Sequence, residues 1–169
     1  PVEETGATFT DNALLKARNA SQAAGLAALS DDSGIEVDAL GGRPGVRSAR
    51  YAGEGATDRQ NLDKLLAALS EVPAERRTAR YRCVIAFVAS PADPQPVLAA
   101  GCWEGRIATA PRGGGGFGYD PIFLPREAGG RTAAELVRAE KDTVSHRAQA
   151  LAALVEKLGG PGSRRSPAP

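Results

Sequence analysis

Methionine is absent from this chain, histidine and tryptophan occur once each, and cysteine occurs twice. Cys83 and Cys102 lack metal-ligand spacing and His146 stands alone, so neither a zinc site nor a disulfide framework is expected, and a reducing compartment fits best. Charge of one sign is also missing. The 21 basic and 20 acidic residues leave a formal net charge of +1, so no global field gathers a polyanion and any anion site has to be local. Aromatic residues, at 5%, are too sparse to stack a single strand of RNA, which ranks an RNA-binding role last. No apolar run approaches a membrane span, and the N-terminus lacks the basic then apolar order of a signal peptide. The reading is a soluble cytoplasmic protein without nucleic-acid or membrane partners. Its 169 residues suit one domain with a sizeable core.

What is present gathers in three places. The first is Ser30-Asp31-Asp32-Ser33-Gly34, between the apolar run 25–29 and an alternating segment 35–40 that reads as a strand. Two adjacent carboxylates in a turn repel, so either one is protonated or a cation lies between them, with Mg²⁺ the simplest choice. Ordinary turn chemistry is the other reading, because Asp, Ser and Gly all favour turns. The second place is Pro111 to Pro121, where four successive glycines precede Phe117-Gly118-Tyr119-Asp120. Such glycines serve close backbone approach or motion, or else a flexible linker. An aromatic pair and an acid beside the apolar run 122–124 argue against the linker. The third is a helix expected over 141–158. Val144, Leu151, Leu154, Val155 and Leu158 mark its inward face and include Arg147 among them, so Arg147 is expected to point into a cleft that holds an acceptor.

The framework is legible around these places. A helix is expected over 8–24, capped by Thr8 or Thr10, with Ala13, Ala17, Ala20 and Ala24 as a small-residue stripe and Gly25 as its end. Lys16 beside that stripe reads, by itself, as a solvated lysine. One helical turn is expected over 48–51. Thr57-Asp58-Arg59-Gln60 has the form of a capping box, opening a leucine-rich helix that closes near Val72-Pro73. Strands over 80–90 and 96–107 form a hairpin around Pro91-Ala92-Asp93-Pro94, with both cysteines as free thiols. Residues 159–169 read as a disordered tail and 1–158 as the single domain. The Gly-x-x-x-x-Gly-Lys motif and the Asp-x-Asp of haloacid-dehalogenase phosphatases are both missing.

An acidic pair, an aromatic-bearing glycine loop and a Lys/His/Arg cluster together suit a phosphorylated ligand with an aromatic base. Glu3-Glu4-Thr5-Gly6, Asn12 to Lys16, Ser30 to Gly34, Gly41-Gly42-x-Pro44-Gly45, Gly115 to Pro121 and Ser145-His146-Arg147, in that order, closely resemble the inosine triphosphate pyrophosphatase (HAM1/RdgB-like) family. The resemblance implies an α/β fold, a long bent mixed sheet flanked by helices around a central cleft, in a homodimer. It implies Mg²⁺-dependent hydrolysis of ITP, dITP and XTP to the monophosphate and pyrophosphate. In family terms Asp32 is the base and, with Glu3, the metal contact, supported by Asp31 and Glu4. Lys16 and Ser33 touch phosphate, Phe117, Gly118, Tyr119 and Asp120 line the nucleoside site, Lys141 meets the substrate, and His146 with Arg147 reads the 6-oxo edge. The aspartates, the aromatic loop and Arg147 are expected to converge on one cavity.

Family members open with a strand and a Ser/Thr-x-Asn-x-x-Lys turn that holds the triphosphate, and no such segment precedes Glu3 here. The chain therefore reads as N-terminally shortened, which its lack of methionine allows. A purine-nucleotide-binding domain without catalysis is the alternative.

Overall fold

The computed structural model describes residues 3–159. Thr8 opens α1 (Phe9–Ala24): its hydroxyl accepts the Asp11 N–H while the Asp11 carboxylate accepts the Thr8 N–H, satisfying two otherwise orphaned donors. Gly25 closes the helix at φ 67°, a left-handed conformation that glycine adopts without a Cβ penalty. The buried face runs Phe9, Ala13, Ala17, Ser21, each four residues after the last. Ala20 and Ala24, expected on that stripe, are exposed.

The chief departure comes next. Ala28–Val37 is one ten-residue strand, β1, that passes straight through Ser30 to Gly34, where a turn was expected. Its antiparallel ladder with β2 (Thr78–Val88) is continuous from Ala28 opposite Val88 to Val37 opposite Ala79. Cooperative pairing along that ladder overrides the local turn preference of Asp, Ser and Gly. β3 (Val97–Ile107) returns from β2 as the expected hairpin, and the short β4 (Phe123–Pro125) lies along its far edge. The order is β1-β2-β3-β4. Among the described residues all three pairings are antiparallel, where a mixed sheet was expected, because each connection returns to a neighbouring edge without a crossover. Cys83 faces Gly101 and Cys102 faces Arg82, so the two free thiols occupy neighbouring rungs and opposite faces.

α2 (Asp58–Ala68) begins on the Thr57 and Gln60 capping box and ends at Leu69, before Val72-Pro73. Arg77 explains the early end. Its buried guanidinium donates to the carbonyls of Leu69 (2.8 Å), Val72 (2.8 Å) and Ala108 (3.2 Å), tying the helix terminus to the end of β3. The expected helical turn is a 3₁₀ segment, Gly45–Arg50.

Helices cover both faces of the sheet. α1 packs Phe9, Ala13 and Ala17 on Val84, Ala86 and Val88, and the opposite face receives the C-terminal helices. The single helix expected over 141–158 is two, α3 (Arg138–Val144) and α4 (His146–Gly159), divided at Ser145, whose extended backbone (ψ 157°) interrupts the ladder. The Ser145 hydroxyl accepts the Ala148 N–H at 3.3 Å and so caps α4. The buried face of α4 is His146, Ala150 and Leu154, while Leu151, Val155 and Leu158 are exposed. Gly101 is the reason: a Cβ there would lie 2.0 Å from the His146 carbonyl oxygen and 2.7 Å from the Ala150 nitrogen. The helix lies so close to β3 at this point that Ala150 marks the contact, with Leu154 one turn further on. The tail expected over 159–169 begins at the last residue of α4, and its remainder lies outside the described residues.

Replacing Arg77 with alanine removes three hydrogen bonds at once and leaves only the Leu69 carbonyl with another donor, the Val72 N–H at 2.9 Å. We expect a loss of about 3 kcal/mol, a fall in Tm of roughly 6–12 °C, measured by thermal and urea denaturation.

Candidate active site

Alternation along β1 sends Asp31 and Asp32 to opposite faces of the sheet. Asp32, almost fully buried, turns toward α1, which presents Asn12 and Lys16 one turn apart. Lys16 Nζ lies 2.8 Å from Asp32 Oδ1 and 2.7 Å from Glu4 Oε1, and Asn12 Nδ2 lies 3.3 Å from Asp32 Oδ2. Arg50 donates to the Glu4 carbonyl (3.1 Å) and carboxylate (3.4 Å), fixing the segment that carries Glu4. The ammonium of Lys16 thus bridges Asp32 and Glu4, and does not lie between Asp31 and Asp32, where a shared cation was expected. Burial raises the Asp32 pKa above the ordinary carboxylate value, outweighing the opposing hydrogen bond and charge of Lys16, and the Glu4 charge adds to the rise. Burial acts in the same direction on Glu4, but Lys16 and Arg50 prevail and hold that carboxyl below its usual value.

Asp31 turns toward α4. Its Oδ2 accepts from Ser33 Oγ at 2.9 Å and from Arg147 Nε at 3.2 Å. The guanidinium of Arg147 lies 5.2 Å from the centroid of the Phe117 ring, and Lys141 Nζ lies 5.6 Å from it. Phe117 is 53% exposed and Tyr119 only 4%, so of the two aromatic residues expected to stack on a base, Phe117 is the accessible one. The Tyr119 hydroxyl donates instead to the Ser48 carbonyl at 2.8 Å. Asp120 is the buried hub of the loop, accepting from Lys141 Nζ (2.6 Å), the Phe117 N–H (3.1 Å) and the Tyr81 hydroxyl (3.3 Å). Gly116 has to be glycine, because at φ 80° a Cβ would fall 2.1 Å from Asp120 Oδ2. On the outer side Asp58 accepts the Gly118 N–H at 2.7 Å.

His146 stacks on Tyr81 with ring centroids 4.7 Å apart and planes 7° apart. Its Nδ1 is buried and has no hydrogen-bond partner among the described residues. Burial, with the Arg147 charge adding to it, pushes its pKa down to about 4, so the ring is neutral at pH 7. His146, Arg147 and Phe117 border two adjoining hollows, one of about 740 Å³ reaching Lys141 and Asp120, the other of about 240 Å³ reaching Ser33, Tyr119 and Gly118.

The structure therefore brings together Ser33, Phe117, Gly118, Tyr119, Asp120, Lys141, His146 and Arg147 on one face, and Lys16, Asp32 and Glu4 on the other. The single cavity expected from sequence is divided by β1, because neighbouring residues of a strand cannot share a face. Glu3 is exposed and borders, with Glu4, Arg47 and Arg50, a third hollow of about 820 Å³. Among the described residues no three His, Cys, Asp or Glu side chains are grouped to hold a metal ion. Sequence reasoning passes over Arg50 and Asp58 as site residues, since both read as ordinary surface charges until the chain folds. Asn12 had a signal: it precedes Lys16 by four residues, so any helix places the two side by side.

A family model described as the Ham1 family matches residues 1–157. This chain belongs to the Ham1 family. It is 55% identical to a dITP/XTP pyrophosphatase of Shigella flexneri, over 92% of this chain and 79% of that protein. To a protein of the same name from Methylococcus capsulatus it is 57% identical, over 92% and 77%. The structure of a HAM1 protein from Coxiella burnetii superposes with a TM-score of 0.84 at 51% identity, covering 89% of this chain and 76% of that one. The Ham1 assignment agrees with the α/β architecture and with the order of the motifs around the hollows.

Two outcomes are expected at this site. Because His146 is the only histidine, its proton NMR titration is read without overlap, and it shows no midpoint between pH 5 and 8. With a folded pKa of about 4 against 6.5 for the free side chain, the unfolded chain binds more protons between those values. This contribution to stability is complete above pH 6.5 and declines as the pH falls toward 4. Gly101→Ala forces the first turn of α4 outward, so the His146 resonances shift and urea denaturation registers a loss of about 1–3 kcal/mol.

Proposed function

We propose that this chain hydrolyses non-standard purine nucleoside triphosphates, ITP, dITP and XTP, to the monophosphate and pyrophosphate. The observation that carries the reading is the pairing of two unlike compartments across one strand: a carboxylate and ammonium group at Asp32, Lys16 and Glu4, and an aromatic hollow with Arg147 and His146 beside Phe117. These match the two ends of a nucleoside triphosphate. The dITP/XTP pyrophosphatases at 55–57% identity support the same reading.

In this reading the base rests against Phe117. Arg147 uses only Nε for Asp31, leaving its terminal N–H fork for two adjacent acceptors such as the O6 and N7 of a 6-oxopurine, a pairing that guanidinium geometry favours. An adenine amine would face donors with no acceptor. Ser33 and Lys16 meet the phosphates as they cross the β1 edge. Asp32, its pKa raised by burial, takes the proton of the attacking water as the α-phosphorus is released from pyrophosphate. The oxygen-only donors of Asp32 and Glu3 would hold Mg²⁺, which typically uses one or two carboxylates with waters and substrate phosphates, and which would supply neutralisation of charge on the phosphoryl oxygens. Residues 1–158 act as the single catalytic domain, and the resemblance extends the proposal to a homodimer working in the cytoplasm.

Pyrophosphate release on ITP, XTP and ATP, with Mg²⁺ and with EDTA, tests this. We expect turnover of ITP and XTP only with Mg²⁺, and a fall of about 100- to 10,000-fold in kcat for Asp32→Asn. Equal rates on ITP and ATP overturn it, and IMP binding without turnover of any triphosphate supports a domain that binds without catalysis.

A further inference from the structure

We infer that Asp31 is a positioning residue for base recognition, acting through Arg147, and not a member of the water-activating group. This rests on the nucleotide reading above and assigns a separate task to the second of two adjacent aspartates.

Three observations converge. The first is direction. Asp31 pairs opposite Ile85, on the face where Cys83, Ile85 and Ala99 pack against α4, whereas Asp32 pairs opposite Val84, on the α1 face. The Asp31 carboxylate is therefore on the wrong side of the backbone to share a water or an ion with the carboxylate group around Lys16. The second is how it holds Arg147. The bond runs to Nε at 3.2 Å, and Phe117 lies against the same guanidinium at 5.2 Å. An edge held by a carboxylate and a face held by an aromatic ring leave a planar group little freedom to turn, and the terminal fork is the part left for a ligand. The third is what else it touches. Ser33 Oγ donates to the same Oδ2 at 2.9 Å, so one carboxylate oxygen orients both the arginine facing the base and the serine at the phosphate crossing.

The ion pair is half-exposed on both sides, at 50% and 39% of the two side chains, and pairs of that kind add little to stability. Its consequence is orientation. Removing it should leave the fold in place and loosen the aim of the fork.

The experiment uses the full chain and the variants Asp31→Asn, Asp31→Ala, Arg147→Ala and Asp31→Asn with Arg147→Ala. Pyrophosphate release is measured on ITP and ATP, and IMP binding by calorimetry. For both Asp31 variants we expect Tm close to that of the unaltered chain, KM for ITP and Kd for IMP raised about 10- to 100-fold, and kcat changed far less. The preference for ITP over ATP narrows accordingly. In the double variant, Asp31→Asn adds little to the loss already caused by Arg147→Ala, because its effect passes through that residue. A large fall in kcat on ITP and ATP alike, with KM unchanged, overturns the inference and places Asp31 with the chemistry. Additive losses of IMP affinity overturn it as well. If the unaltered chain neither turns over ITP nor binds IMP, the nucleotide reading fails first and takes this role with it. If that chain is active and Asp31→Asn behaves like it in every assay, only the positioning role is lost.

Discussion

A strand has a period of two, and that constraint on β1 governs the arrangement of everything around it. Ladder pairing from Ala28 to Val37 forces Ser30, Asp32 and Gly34 onto one face and Asp31, Ser33 and Ile35 onto the other. Gly34 is glycine for the same reason: a Cβ there would come within 2.5 Å of the Gly45 carbonyl and 2.6 Å of Ser48 Oγ. The 3₁₀ segment can therefore close over the strand at that point, and its Ser48 hydroxyl accepts the Ile35 N–H at 2.9 Å. Two sets of side chains with different chemistry meet along the backbone between them without mixing.

The helices are set against the sheet at their closest points by small residues. Ala13 and Ala17 bring α1 close enough for Lys16 and Asn12 to reach Asp32. Gly101 and Ala150 do the same for α4, and the first turn, with His146 and Arg147, is carried down onto Tyr81 and Asp31. A helix held at that distance has no room for Leu151 and Val155 beneath it, which is why they remain outside. Site geometry in this chain thus follows from packing decisions made by residues without functional groups.

Much of this was legible in the sequence where a local rule and the fold agree. Thr8 with Asp11, Thr57 with Gln60, and the hairpin around Pro91 to Pro94 have reciprocal hydrogen bonds or turn chemistry that needs only nearby residues. The motif order that resembled the family also named the residues around the hollows. What was not legible depends on partners distant in the chain. Ser30 to Gly34 reads as a turn because the opposing residues, Ala86 to Arg82, lie too far along the chain to be visible to local propensity. Of the inward face expected for α4, Leu154 is buried but Leu151, Val155 and Leu158 are not, because the hydrophobic pattern favours leucines while the closest contact is decided by a glycine on β3. Ser145 looked like an interior helical residue, and only the docking of His146 against the sheet requires the break before it.

The environments of the two aspartates argue that the division is chemical as well as spatial. For Asp31, burial is outweighed by the Arg147 charge and by hydrogen bonds from Ser33 and Arg147, so its carboxyl is held below the usual range and remains an anion. For Asp32, burial outweighs Lys16 and Asn12, and its proton affinity is raised. Neighbouring carboxylates driven in opposite directions are suited to different tasks: the more acidic one serves as a fixed anion that orients a guanidinium, the more basic one as a proton acceptor. Repulsion between them, which in a turn would call for a shared cation, is answered here by a separate cation on each side of the strand, Arg147 for one and Lys16 for the other. The strand that separates the two carboxylates is thereby also what lets base recognition and water activation be tuned independently.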